Sequence, residues 1–152
     1  MTSLARAVAT AAHPGTVLGF DFGEKRVGVA VGEHTLGLAH PLSTIEIEDR
    51  ERRLAAIDRL VAEWRPAQFV VGLALAADGS EHEMTRRCRR FSRQLEARYR
   101  LPVELVDERY SSASAGEALR AQGVDLRAGK HLIDAAAAQI ILQGYFDAAS
   151  RR

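Results

Sequence analysis

The chain has 152 residues, of which 47% are hydrophobic, and these values predict one compact domain with a core of its own. Its 21 lysine and arginine residues are nearly balanced by 20 aspartate and glutamate residues, so the net charge of +1 excludes a global attraction to nucleic acid and leaves only local patches. The single cysteine, Cys88, excludes an intramolecular disulfide and a thiolate zinc cage, which favours a cytoplasmic location.

The N-terminal part of the chain predicts a loose tail followed by three strands. Residues 1–15 contain only a short apolar stretch, and no part of the sequence has the apolar length of a membrane-spanning helix. The apolar runs 17–22 and 27–31 flank a short glycine-containing turn and predict a hairpin. Residues 36–45 predict a third strand, and Pro41 favours an edge of the sheet because proline cannot donate to the ladder.

Helices and strands alternate through the middle of the chain. Apolar side chains recur at helical spacing over residues 49–64, and the pattern stops at a proline. The continuous apolar run 68–73 is typical of a buried strand. A second helix is predicted from Ser80 to about residue 98, with Ser80 as N-cap and Glu83 completing a capping box.

The C-terminal third predicts one more strand and two helices. The strand covers residues 103–107, a shorter helix covers 111–123, and an apolar-rich helix begins at Lys130. The element order βββαβαβαα predicts an α/β fold with a mixed five-stranded sheet, whose first three strands form a meander, flanked by helices. Residues 16–149 are therefore predicted to form a single domain.

Three acidic residues lie in separate segments, each where a chain presents a carboxylate to a metal: Asp21, Glu108 and Asp134. Mg²⁺ and Mn²⁺ prefer oxygen ligands, and a two-metal site needs carboxylates from different elements. This pattern predicts a metal-dependent phosphodiester-cleaving enzyme. Asp107 competes with Glu108 for the second position, because neighbouring residues of a strand point to opposite faces, and Glu108 is favoured.

Each acid also has a simpler interpretation. Asp21 could begin a turn, although an acid seldom ends a buried strand without a function. Asp134 could serve as a helix N-cap. Residues 107–109 could form an ordinary salt-bridge cluster at the end of a strand.

Several polar residues near these acids are candidates for substrate binding. Lys25 and Arg26 in the hairpin could meet a phosphate, and Ser80 at a predicted helix start could do the same. Arg109 and Lys130 flank the other two acids and could neutralise a phosphate or balance the carboxylates. Arginines at positions 86, 90 and 93 share one helical face that could follow a nucleic-acid backbone or simply be solvated.

Four segments together resemble a known family: GFDFGEKRVGVAVG, VVGLALAADGSE, VDERYSS and IDAAAAQIILQ. In order and spacing they are similar to the YqgF/RuvX-like family of pre-16S rRNA nucleases, also described as Holliday-junction-resolvase-like. The resemblance extends from about Val17 to Phe146. It implies the ribonuclease H-like fold and metal ligands at Asp21, Glu108 and Asp134.

The resemblance implies processing of the 5′ side of precursor 16S rRNA in ribosome biogenesis, with Mg²⁺ or Mn²⁺ as cofactor and precursor rRNA, free or within ribosomal particles, as partner. Two alternatives stay open: a Holliday junction resolvase acting on branched DNA, and a non-catalytic RNA-binding or ribosome-assembly factor. The chain could act as a monomer or a homodimer. Ala74 and Ala76 stand where the family usually has a proline and an asparagine, which bears on how the loop positions substrate.

Overall fold

The computed structural model describes residues 15–108 and 130–150. In chain order its elements are β1 (Thr16–Phe22), β2 (Val27–Glu33), β3 (Leu38–Ile45), α1 (Arg50–Trp64), β4 (Gln68–Leu73), α2 (Glu83–Tyr99), β5 (Val103–Asp107) and α3 (Lys130–Ser150). The predicted helix over 111–123 and nearly all of the predicted tail lie outside the described residues. No helix of the described part is both long and apolar enough to cross a membrane.

The five strands form one sheet in the order β3-β2-β1-β4-β5. The first three strands pair antiparallel, as a meander, whereas β4 is parallel to both β1 and β5. The predicted mixed sheet is thereby confirmed. Pro41 lies in β3, which is an edge strand as predicted, and a register shift interrupts the pairing of β3 with β2 between Val29 and Ala30.

The helices cover the two faces of the sheet unequally. Helices α1 and α2 lie over one face, where Phe20, Phe69 and Phe91 pack in a buried cluster with ring centroids 5.6–5.8 Å apart. Helix α3 lies over the other face, against a cluster that includes Val17 and Val70. Because successive residues of a strand point to opposite faces, β1 and β4 contribute to both clusters.

Helix α3 approaches its face of the sheet closely because that face is lined with glycine. An added Cβ at Gly19 would lie 2.9 Å from the Cβ of Leu142, and one at Gly32 would lie 2.6 Å from the ring of Phe146. At Gly28 an added Cβ would overlap the carbonyl oxygen of Asp134 itself. Small residues on both partners therefore bring the helix backbone almost onto the strands.

The prediction that α2 begins at Ser80 is wrong. Helix α2 begins at Glu83, and its N-cap is His82, whose ring accepts from the backbone N–H of Met84 at 3.2 Å. Thr85 completes the capping box by accepting from the His82 N–H at 3.0 Å. The backbone N–H and hydroxyl of Ser80 both donate to Asp78, at 2.9 and 2.6 Å, so Ser80 belongs to a turn before the helix.

We expect Gly28→Ala to destabilise the protein by about 1–3 kcal/mol, because the new methyl group overlaps the main chain of α3. Gly144→Ala is the matched control: its Cβ meets nothing within 4 Å, and alanine in a helix is favoured over glycine by about 0.5–1 kcal/mol. Urea unfolding of both variants measures the two effects. Equal or greater stability of Gly28→Ala would contradict the close packing of α3.

Candidate active site

Two of the three predicted acids meet where the parallel strands end. Asp21 is the penultimate residue of β1, and Glu108 directly follows β5. The N–H of Glu108 donates to the carbonyl of Leu73 at 3.2 Å, which extends the β4–β5 pairing by one residue. Because β1, β4 and β5 are parallel, their carboxyl ends lie along the same end of the sheet, and both carboxylates lie there. This end of the strands, as distinct from the outermost strands β3 and β5, is called the active edge.

The side chains of Asp21 and Glu108 are hydrogen-bonded to each other. Burial raises the pKa of Glu108 to about 9, and the contact with Asp21 and the nearby charge of Asp107 act in the same direction. Burial also raises the pKa of Asp21, to which the negative charge of Asp134 contributes, although the hydrogen bond from Glu108 opposes it. Two carboxyl groups in contact can both be ionised only at a high electrostatic cost, so the pair retains a proton at neutral pH.

Asp134 reaches the same edge from α3, which covers the face of the sheet toward which Asp21 points. It lies one turn into α3, above Gly28, and Gly28 is the direct partner of Asp21 in the hairpin. Its carboxylate accepts from Nε of Arg26 at 2.9 Å, in an ion pair whose side chains are 35% and 24% exposed. The structure therefore brings all three predicted acids to one edge of the sheet.

The simpler interpretations of Asp21 and Asp134 do not fit this arrangement. Asp134 cannot be the N-cap of α3, because the helix begins four residues earlier, at Lys130. Asp21 does not begin a turn, since Phe22 is still paired with Val27 in the hairpin. The salt-bridge cluster predicted as an alternative for residues 107–109 includes Arg109, which lies outside the described residues.

Asp107 and Glu108, the two candidates for the second acid, differ in burial and direction. Asp107 is the last residue of β5 and is exposed, whereas Glu108 is half-buried and turned toward Asp21. One oxygen of Glu108, Oε2, is buried and has no hydrogen-bond partner in residues 15–108 or 130–150, and it packs over Gly72, where an added Cβ would lie 2.6 Å from it. The structure thus favours Glu108 for the predicted role.

A family model, RuvX, described as Holliday junction resolvase, matches residues 15–148. The chain belongs to this family. A protein of Methylobacillus flagellatus that bears the name "Putative pre-16S rRNA nuclease" is 56% identical over 137 residues, which cover 90% of this chain and 94% of that protein. A protein of the same name from Thiobacillus denitrificans is 57% identical over 134 residues, covering 88% and 92%. The protein is accordingly an enzyme of the nuclease class, a hydrolase of phosphodiester bonds.

Solved structures of resolvases share the fold of this RuvX-family chain. RuvC of T. thermophilus in complex with a Holliday junction substrate superposes with a TM-score of 0.57 at 19% identity, covering 90% of this chain and 96% of that chain. The Fowlpox virus resolvase in complex with Holliday junction DNA gives a TM-score of 0.59 at 10% identity, covering 88% and 98%. At these identities the likeness concerns the fold alone, and the predicted ribonuclease H-like fold is confirmed.

The carboxylates of this RuvX-family site fit a divalent cation in their chemistry. Buried carboxylate oxygens suit hard cations such as Mg²⁺ and Mn²⁺, and Oε2 of Glu108 has no hydrogen-bond partner among the residues that the structure describes. Within residues 15–108 and 130–150, however, no group of three or more His, Cys, Asp or Glu side chains is arranged to hold a metal ion. The reason is visible in the contacts: Asp21 and Glu108 bond each other, while Asp134 bonds Arg26. Joint binding would require Asp134 to exchange Arg26 for the ion.

The predicted substrate-binding residues have different positions. Lys25 is exposed in the hairpin turn next to the acids, while Arg26 is already engaged by Asp134. Ser80 is exposed in the loop after β4, bonded to Asp78 and not at a helix start. Lys130 is the first residue of α3. Arg109, the predicted phosphate-binding residue next to Glu108, lies outside the described residues.

Sequence reasoning missed the arginines that hold the hairpin beside Asp21. Arg53 is only 7% exposed and donates to the carbonyls of Glu24 and Ile47, each at 2.7 Å. Its guanidinium lies 5.4 Å from the centre of the Phe22 ring, and burial lowers its pKa. Arg87 pairs with the carboxylate of Glu24 at 3.0 Å. The available signal was the position of Arg53 on the apolar face of α1, next to Leu54.

In metal-free solution, we expect the contribution of Glu108 to stability to be lost as the pH rises. Its folded pKa, about 9, exceeds the ordinary value of 4.5, so the folded protein binds this proton more tightly. The contribution is complete below about pH 4.5 and is lost as the pH rises through about 9. Glu108→Gln keeps the shape but does not titrate, so its unfolding midpoint should rise relative to wild type between about pH 5 and 9.

Urea unfolding in EDTA at several pH values measures this difference. Glu104→Gln is the matched control, because Glu104 is an exposed residue of the same strand. If wild type and Glu108→Gln showed parallel pH profiles, the buried carboxyl pair would not exist in solution.

Proposed function

We propose that this protein is a metal-dependent nuclease that hydrolyses RNA and processes the 5′ side of precursor 16S rRNA in the cytoplasm. The observation that carries the proposal is the pair of buried, hydrogen-bonded carboxyl groups of Asp21 and Glu108, with Asp134 at the same edge of the sheet. The names of relatives at 56% and 57% identity support the substrate. The precursor would be bound free or within ribosomal particles.

In this proposal Asp21, Glu108 and Asp134 hold Mg²⁺ or Mn²⁺. When bound, the ions supply an activated water and stabilise the charge of the reacting phosphate. The sheet holds Asp21 and Glu108 in place. Asp21 belongs to β1, which is paired with β2 and β4, and Glu108 directly follows β5, which is paired with β4. No side chain of the protein needs to act as a nucleophile.

The chain's own cations have separate tasks in this proposal. Arg26 lies beside the acids in its 2.9 Å ion pair with Asp134, and when Asp134 exchanges Arg26 for the ion the guanidinium becomes available to a phosphate oxygen. Lys25 adds an exposed ammonium group on the same turn. Both cations would hold the scissile phosphate against the carboxylates, whose negative charge would otherwise repel it.

Asp21→Asn is expected to abolish cleavage of a labelled single-stranded RNA that carries the precursor 5′ extension. The amide removes a negative charge from the centre of the carboxylate group, and loss of a preorganised charged group typically costs about 10²–10³ in rate. Cleavage is measured with Mn²⁺, with Mg²⁺ and with EDTA, and circular dichroism verifies the fold. Full activity of the variant would refute the proposal, and RNA binding without any turnover by wild type would identify a non-catalytic RNA-binding factor.

A pair of variants tests the assignment of the second acid. Glu108→Gln should lower the cleavage rate about as strongly as Asp21→Asn, whereas Asp107→Asn should change it by no more than about threefold, because Asp107 is exposed and Glu108 faces Asp21. Both variants are assayed on the same RNA at saturating Mn²⁺. The reverse ranking would assign the metal to Asp107.

A second candidate function is resolution of Holliday junctions, and the description of the matching family favours it. The same carboxylates would cleave branched DNA, and a resolvase would act as a symmetric dimer. Cleavage of a four-way DNA junction and of the single-stranded RNA under identical conditions separates the two functions. Preference for the junction, together with a dimeric mass in solution, would establish this second function.

A further inference from the structure

A groove runs between α1 and α2 on the face of the sheet opposite to α3. It consists of two adjoining cavities of about 260 and 420 Å³ that share Arg50, Leu54, Arg90 and Gln94 in their walls. The first cavity begins at Phe22, the residue after Asp21, and the second continues away from the active edge toward Arg98. The α1–α2 groove therefore lies on the face of the sheet opposite to the side chain of Asp21, because neighbouring residues of a strand point to opposite faces.

The walls of the second cavity are strongly basic. They contain Arg50, Arg90, Arg93 and Arg98 and no acidic residue, whereas the first cavity, at the Phe22 end, is also lined by Glu24, Glu48 and Glu83. Arg98 is neutralised, since it donates twice to Asp58, at 2.7 and 2.8 Å. The other three side chains are exposed, and none of them has an ion pair or side-chain hydrogen bond with a residue that the structure describes.

The remaining arginines of α2 differ from these three in their partners. Arg86 and Arg87 bond Glu83, at 2.9 and 3.4 Å, and Arg89 bonds Glu81 at 2.6 Å. Only part of the basic stripe predicted on this helix is therefore available to a ligand. The uncompensated charge is concentrated in the groove, where α1 contributes a third arginine that the sequence did not connect with the stripe.

The aromatic wall near the active edge does not offer a stacking surface for a base. One side of the Phe22 ring faces the guanidinium of Arg53 at 5.4 Å, and the ring packs against Phe91 at 4.8 Å with an interplanar angle of 32°. Phe22 is thus enclosed by its neighbours and forms a rigid wall. The groove fits the charge of a polyanionic backbone better than the flat face of a base.

We propose that the α1–α2 groove binds the phosphodiester backbone of single-stranded RNA on the face of the sheet opposite to the acids, through Arg50, Arg90 and Arg93. The identity of the strand as RNA rests on the function proposed above. Three guanidinium groups in one groove, without an ion pair to a described residue, would each contact a phosphate of the strand. The overall charge of +1 makes such a local surface necessary for binding.

The test compares two triple variants that each remove three positive charges. The groove variant removes the three positive charges that have no ion pair with a described residue: Arg50→Gln/Arg90→Gln/Arg93→Gln. The control, Arg59→Gln/Arg65→Gln/Arg100→Gln, removes exposed arginines elsewhere: Arg65 and Arg100 cap the helices just before β4 and β5, at the opposite edge of the sheet from the acids. Arg59 is nine residues after Arg50 in α1 and lies on the opposite face of that helix.

Binding of fluorescent single-stranded RNA with the precursor 5′ extension is followed by anisotropy in EDTA, between about 50 and 200 mM salt. Loss of three phosphate contacts should weaken binding on the order of 100-fold near 0.1 M salt and reduce the salt slope by about 2, since each contact contributes about 0.7 for single strands. The control variant should bind like wild type. Arg93→Glu provides a single-site alternative if the triple variant does not fold.

The outcomes separate this inference from the nuclease proposal. Equal loss of affinity in both triple variants, unchanged affinity in the groove variant, or no RNA binding by wild type would each overturn the groove assignment, whatever the cleavage assay shows. Groove-dependent binding by a wild type that does not cleave with Mn²⁺ would support the groove and refute the nuclease. A duplex that competes better than the single strand would overturn the choice of ligand.

Discussion

The contact between the main chain of α3 and the glycine-lined face of the sheet fixes the geometry of the candidate site. Asp134 is 113 residues after Asp21 in the sequence, and it reaches the same edge because Gly28 has no side chain to keep its backbone away. Gly28 pairs directly with Asp21, so the register of one hairpin sets the position of both acids. Gly72 has the corresponding role under Glu108. The absence of a side chain at these glycines, rather than any attraction between the acids, allows the charges to come close together.

The electrostatic consequence is a site whose negative charge is only partly compensated by the described residues of the protein. Asp21 and Glu108 relieve their repulsion by hydrogen bonding, and burial raises the pKa of each. Asp134 is compensated by Arg26. A folded domain tolerates such a cluster only at a cost in stability, which a bound cation would reverse.

The sequence predicted the elements whose limits depend on local signals. Strand β4 is a continuous apolar run, and β5 follows directly after Pro102, so both have the predicted limits. The three acids were found because each follows or interrupts an apolar segment. The start of α2 was predicted wrongly because both Ser80 and His82 stand close before the helix and either side chain could cap it. In the structure Ser80 is hydrogen-bonded to Asp78, and His82 is the N-cap.

Contacts between distant segments could not be predicted from the sequence. The ion pair of Arg26 with Asp134 joins residues 108 positions apart, and that of Arg87 with Glu24 joins a helix to a hairpin. Helical spacing places Arg53 on the inner face of α1, yet it does not reveal that the guanidinium will satisfy the carbonyls of Glu24 and Ile47. Periodicity gives the direction of a side chain, whereas its partner is determined by how the elements pack.

The loop after β4 shows how the chain departs from its family without losing the local structure. The resemblance implies a proline and an asparagine where Ala74 and Ala76 stand. Here the Ala74 carbonyl accepts from the hydroxyl of Thr85, and the N–H of Ala76 donates to the carbonyl of Ser80 at 2.9 Å. These bonds, rather than a fixed proline φ, hold the loop against α2. What the chain lacks is a polar side chain at position 76, so the departure concerns contacts that this side chain would make with a substrate and leaves the carboxylates at the neighbouring strand ends in place.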